Sequence, residues 1–346
     1  MPWRGATAAE AGNKEGQLFH IGVSPHIRDE DTTTSIMGWV ILALLPVTAY
    51  SIYICGWSAV VTIAFSVLGA VAAEYVIQRY RRMHVTLYDL SAVLTGLLLA
   101  LTLPPRLPFW MPLVGGVVAI TLGKQVFGGL GHNIFNPALV GRAVLFVSWS
   151  KYMTTSYLTS PQAAVVNTVT VRSINAITRA TPLFTMHQVH KGELAFDASR
   201  YYRPLLFGNP WGCVGEVSAA LLLLGLAILL YKRLVAWQIP VCYVGTVMLL
   251  SMALGVDPLF AGLSGGLILG ACFMATDYVT NPMTAWGKVI FSVGCGITTV
   301  VLRFYSNLPE GVMFAILLMN GVTPLIDRYV KPRPYGTKLG KAAEEA

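Results

Sequence analysis

Apolar and polar positions alternate along this chain in long blocks rather than at helical or strand period. Ten largely apolar runs, at about 34–54, 58–78, 87–103, 109–126, 136–150, 215–231, 236–255, 258–276, 287–304 and 311–328, are separated by short polar connections. A run of about 20 apolar residues matches the hydrocarbon thickness of a bilayer as a helix. The pattern predicts an all-α polytopic membrane protein with about ten transmembrane helices. Polar blocks remain at 1–33, 151–214 and 332–346. Five runs precede the long middle block and five follow it. An odd number per half starts the second half on the opposite side, so the prediction is two inverted five-helix halves, 34–150 and 215–331, with one long external loop.

Composition agrees with that reading. Of 346 residues, 55% are hydrophobic and 12% charged, against about 25% charged in a soluble domain. The net charge of +8 sits in helix-connecting segments, which argues for topology rather than nucleic-acid binding. Arg79, Arg81, Arg82, Lys124, Lys232, Arg233 and Lys288 fall on alternate connections, together with the basic residues of the arm and tail. The opposite connections hold Arg106, with Arg303 close by. The positive-inside rule then makes 1–33 and 332–346 cytoplasmic and 151–214 periplasmic. Trp57, Trp110, Trp149 and Trp211 fall near the outer interface. Residues 1–33 contain no apolar stretch able to serve as a signal peptide.

Candidate chemistry is sparse. Cys55, Cys213, Cys242, Cys272 and Cys295 are scattered without CxxC or CxxH spacing, which disfavours an iron–sulfur or zinc site built by this chain alone. His84, His132, His187 and His190 show no metal-ligand pairing. Glu74, Asp89, Arg142, Asp277 and Asp327 lie in or beside the spans, where charge is costly and marks a functional candidate. Glu74, Asp89 and Asp327 sit near predicted inner ends, where water would lower the cost. They are the candidates for an ion pathway. Asn136-Pro137 and Asn281-Pro282 each precede an apolar run, as a capped helix start or as broken helices at a mid-membrane site. Gly128-Gly129-Leu130-Gly131-His132-Asn133 reads either as a helix break or as part of a flavin pocket reached through Asn133 and Asn136.

Four stretches together carry a resemblance: Leu97-Leu98-Leu99-Ala100-Leu101-Thr102-Leu103-Pro104-Pro105, Asn133-Ile134-Phe135-Asn136-Pro137-Ala138, Phe273-Met274-Ala275-Thr276-Asp277 and Gly321-Val322-Thr323-Pro324-Leu325-Ile326-Asp327. The chain resembles the NqrB/RnfD family over nearly its whole length, with the RnfD branch favoured by the short arm. The resemblance implies a membrane subunit of the Rnf electron-transport complex, in the bacterial inner membrane, with no complete activity alone. It implies RnfA, RnfB, RnfC, RnfE and RnfG as partners, including an FMN-bearing donor and iron–sulfur subunits, within membrane lipid.

The family carries FMN esterified to a threonine in D-x-x-(S/T)-G-A-T. Laid on this sequence, the acceptor is Thr181, with Ala180 before it and Thr178 at the Ser/Thr position. Asn175 stands where the acid is expected and Arg179 where the glycine is; Arg179 would offset the phosphate charge. A second, non-covalent flavin such as riboflavin is implied within the bundle, with electron passage coupled to Na⁺ or H⁺ movement between reduced ferredoxin and NAD⁺. Two other classes stay open at this level. One is a solute channel or secondary transporter on the same inverted repeat, and the other a scaffold for redox subunits.

Overall fold

A computed structural model describes residues 32–155, 199–208, 212–306 and 311–331. The described residues are helical throughout, with no strand, and from Thr33 onward they belong to one compact unit. The long helices are α1 (Thr33–Cys55), α2 (Trp57–Tyr80), α3 (Ser91–Thr102), α4 (Trp110–Ile120) and α5 (Pro137–Ser148). Two short helices, α6 (Ser150–Thr155) and α7 (Ser199–Phe207), flank residues outside the described set. The chain continues through α8 (Ala219–Tyr231), α9 (Gln238–Ala253), the short α10 (Pro258–Leu263) and α11 (Leu267–Leu269), then α12 (Ala285–Tyr305) and α13 (Val312–Tyr329).

Helices α1, α2, α12 and α13 are long and apolar enough to cross a membrane; α3, α5, α8 and α9 are shorter apolar helices. The arrangement is that of a polytopic helical membrane protein. Exposed Leu45, Leu68, Leu249 and Leu318 are what such a surface presents to lipid.

Two expected spans prove to be interrupted. The run 87–103 begins as a 3-10 turn, Leu87–Asp89, passes through Leu90 at φ 60°, and only then becomes α3. The run 258–276 is α10, then Ser264-Gly265 with Gly265 at φ 67°, then α11 and a π segment, Gly270–Met274. Gly270–Met274 is the second π segment of the chain; the first, Thr121–Gln125, ends α4. Such backbone is tolerated at membrane depth only where protein covers it. The interruption in the run 258–276 is covered: Gly270–Met274 is buried, and the Arg303 guanidinium donates to the carbonyls of Ala261 and Ser264 at 2.9 and 3.0 Å.

The helices pack through small residues. α2 lies against α3 and α4 because Gly69, Gly96 and Gly116 let backbones touch, and a Cβ on Gly116 would overlap the Ser66 carbonyl. This is how helices associate where lipid offers no hydrophobic drive. α4 packs on α5, α9 on α12, α12 on α13, and α1 on α8.

The two Asn-Pro pairs are not equivalent. Asn136 caps α5, its Oδ1 accepting from the N–H groups of Ala138 and Leu139, with Pro137 at the first helical position. α12 is capped by Thr284 rather than Asn281, through the Gly287 N–H.

Candidate functional site

The ends of several helices converge on one cleft. Ile36 and Met37 of α1, Ser91 and Leu94 of α3, Lys124 of the first π segment and Asn136 at the head of α5 line it. Leu229 of α8, Phe273 of the second π segment, and Thr276 and Asp277 just beyond complete the wall. The cleft holds about 780 Å³ of empty space, its open mouth included. It lies at the end of the bundle where Arg79, Arg81, Lys232 and Arg233 also fall, with the Lys232 ammonium 4.4 Å from the centre of the Trp39 ring.

Its walls are mostly apolar, with buried polar groups from Ser91, Lys124, Asn133, Asn136 and Thr276 among them. Asn133, 5% exposed, donates to the Phe135 carbonyl at 3.3 Å and lines the cleft together with Asp277. Thr280 donates to Asp277 at 3.4 Å. The Asn136 amide donates to the Met274 carbonyl at 3.2 Å, tying the start of α5 to the second π segment. Asn136 thus caps α5 and ties it to the second π segment while it lines the cleft. Gly128, Gly129 and Gly131, at φ 117°, 106° and 91°, shape the loop that brings Leu130 and Asn133 to the cleft; only glycine adopts these angles freely.

One lining residue, Lys124, belongs to a buried ion pair. The Lys124 ammonium, counted from sequence among the solvent-facing basic residues of the connections, is 2% exposed and lies 2.6 Å from Glu74 Oε1. Glu74, expected at a wetted inner end, has no exposed surface. Both expectations fail for one reason: α4 ends in a π segment that sits inside the bundle, so Lys124 points at α2 rather than at water. Glu74 Oε1 also accepts from Gln78 and Gln125 at 3.1 and 3.3 Å, while Oε2 is buried with no hydrogen-bond partner among the described residues. Lys124 donates to Ser91 Oγ at 2.6 Å, and Ser91 donates in turn to Asp89 Oδ1 at 2.6 Å. Asp89 is half-buried and also accepts the Ser91 N–H.

The other marked residues are placed as follows. Asp327 is half-buried and accepts the Met283 N–H at 3.1 Å, joining α13 to the segment before α12. Buried Arg142 approaches the Cys213 thiol at 3.5 Å. Asn175, Thr178, Arg179, Ala180 and Thr181 lie outside the described residues. Glu74 and Asp89 are brought into one hydrogen-bonded group; Asp327 is not part of it. Lys124 and Ser91 are the members that sequence reasoning missed. The signal for them was a lysine inside the apolar run 109–126 at the same predicted end as Glu74.

Apolar walls with a few polar groups among them are the lining of a small-molecule site. The class so defined is a helical membrane protein with a ligand-sized cleft above a buried ion pair. Residues 20–336 match the model of the NQR2, RnfD, RnfE family, and the chain belongs to that family. It is 42% identical over 325 residues to the D component of the Na⁺-translocating ferredoxin:NAD⁺ oxidoreductase complex of Acetobacterium woodii, covering 94% of this chain and 98% of the relative. It is 41% identical to the proton-translocating counterpart of Clostridium ljungdahlii, covering 95% and 99%. It is 36% identical to the D component of the ion-translocating oxidoreductase complex of Escherichia coli O127:H6, covering 93% and 100%.

Proposed function

We propose that this chain is the flavin-carrying membrane subunit of an ion-translocating ferredoxin:NAD⁺ oxidoreductase complex, the Rnf complex. The observation that carries this is end-to-end similarity to the D components of three such complexes, at 36 to 42% identity with nearly complete mutual coverage. The chain works as one subunit of a multi-subunit enzyme, with the other Rnf subunits as partners, in a bacterial inner membrane.

Two flavin positions belong to the proposal. FMN is esterified through its phosphate to Thr181 in the loop between α5 and α8, in the setting of Thr178, Arg179 and Ala180. A second, non-covalent flavin lies in the cleft, its polar edge held by Asn133 and Asp277 with Lys124 behind. The cofactor supplies reversible electron uptake; the protein supplies position, water exclusion and electrostatics. α5 begins at the cleft with Asn136 and ends at Ser148, and the chain then leads through α6 into the segment that carries Thr181. That supports a relay from the periplasmic face inward, with both termini cytoplasmic.

Two inverted five-helix halves underlie the arrangement. Three features support the repeat. α2 packs on α4 as α9 packs on α12. α4 packs on α5 as α12 packs on α13. The third run of each half is interrupted by a left-handed residue, Leu90 in one and Gly265 in the other.

The test of attachment is a denaturing gel of the chain expressed in a host with its flavin transferase. Flavin fluorescence stays with the wild-type band and is absent from Thr181→Val; a fluorescent mutant band refutes the assignment. The Acetobacterium and Clostridium relatives differ in the ion that their names give. Electron transfer in sodium-depleted vesicles therefore identifies the ion here: Na⁺-stimulated turnover assigns sodium, and sodium-independent turnover with acidification assigns protons.

A further inference from the structure

We propose that Lys124 is the electrostatic counterpart of negative charge entering the cleft, and that Glu74 takes up one proton each time that charge arrives. The inference rests on reading the cleft as a flavin site.

Lys124 stands between two environments. It lines the cleft, and its ammonium is bound to Glu74 and Ser91. The Lys124–Glu74 pair is neutral, so a ligand without charge sees a balanced wall. An electron delivered by the reduced carrier of the complex makes the cleft negative, and the nearest buried cation is Lys124. Glu74 is built to complete the balance: one carboxylate oxygen takes every donor, from Lys124, Gln78 and Gln125, and the buried Oε2 takes none. A carboxylate oxygen out of water without a donor is expensive, and a proton on Glu74 removes that cost.

The structure also provides the route. Asp89, half-buried at the basic end, accepts from Ser91, and Ser91 accepts from Lys124. As the hydrogens stand, Lys124 donates to Ser91 and Ser91 to Asp89; once Asp89 takes a proton from water and donates it to Ser91, the serine hydroxyl turns to give its own to Lys124 as Lys124 gives one to Glu74. Lys124 ends as it began, a cation. The cleft gains one negative charge, Glu74 becomes the neutral acid, and the sum is unchanged; departure of the electron reverses each transfer. The charged and titratable groups facing Glu74 are Lys124 from the π segment and Asp89 from the turn before α3. The amides of Gln78 and Gln125 complete the set, and Arg81 binds the Gln125 carbonyl.

The experiment uses the purified complex carrying wild-type chain, Glu74→Gln, or Glu74→Gln with Lys124→Met. The double variant removes both charges together and so strands neither in the core. Non-covalent flavin is extracted and counted. Its midpoint potential is then measured against pH. Glu74→Gln leaves Lys124 uncompensated, so the potential rises above wild type, and reduction takes up one proton fewer. The double variant falls below Glu74→Gln by at least tenfold in the reduced-to-oxidised ratio, about 59 mV for a one-electron couple. Equal potentials in the two variants, with flavin retained, overturn the proposal alone. An unchanged pH slope in Glu74→Gln does the same. Wild-type complex without non-covalent flavin overturns the reading of the cleft, and the proposal with it.

Discussion

Lys124 and Glu74 illustrate how much one side chain's surroundings decide. A buried pair gains little over an apolar substitute, yet removing one partner leaves a bare charge and costs about 3–5 kcal/mol. Lys124→Met alone should therefore lower the thermal stability of the detergent-purified chain by that order, and Glu74→Gln with Lys124→Met should recover most of it. A single variant as stable as wild type would mean that water reaches Glu74. Asn133 belongs to the same scale. Its amide donates to the Phe135 carbonyl and lines the cleft beside Asp277, so on the proposed function Asn133→Leu should cut the non-covalent flavin retained on purification at least tenfold without changing fluorescence at Thr181. Glu74 and Asp89 stood out in the sequence because a carboxylate beside an apolar run is conspicuous. Lys124 did not, because a lysine at the end of such a run ordinarily snorkels to water.

Among the elements, the interrupted helices matter most. Each π segment adds one residue to a turn and shifts the helical phase beyond it. That shift turns Lys124 inward in one case and presents the Met274 carbonyl to Asn136 in the other. Asn136→Ala removes a helix cap worth about 1 kcal/mol and also a buried hydrogen bond worth about 0.5–1.5 kcal/mol. Cysteine accessibility at Leu139 should rise in that variant as the start of α5 loosens; unchanged protection would show that Pro137 and packing hold α5 unaided. Gly116→Val should prevent accumulation of folded chain, since its Cβ would overlap Ser66, whereas Gly245→Ala, with open space around it, should be neutral. Helix positions were readable from apolar runs because burial in lipid imposes length. Interruptions were not, because a left-handed residue such as Leu90 has no side-chain signature.

For the molecule as a whole, the decisive quantity is which end faces which compartment. Arg82 and Trp57, both exposed, lie at opposite ends of α2, and four of the five native cysteines are buried. With Cys242 replaced by serine, a cysteine at position 82 should react with impermeant maleimide only from the cytoplasm, and one at position 57 only from the periplasm. A cysteine at position 180 should follow position 57. Labelling of position 180 from the cytoplasm would place the flavin ester and the cleft on the same side, and the relay across the membrane would be lost.

The amino-acid order alone determined that this chain lives in a bilayer, roughly where its long helices lie, and which family motifs it carries. Each of those depends on runs of apolar residues or on neighbours in sequence, which a linear reading captures. Only the tertiary structure decided that Asn136 binds the backbone of Met274, that Lys124 lies against Glu74, and that a cleft opens between α1, α3, α5 and the second π segment. These are meetings of residues as many as 138 positions apart. They follow from close packing at glycines and from breaks in helical phase, which no local pattern announces.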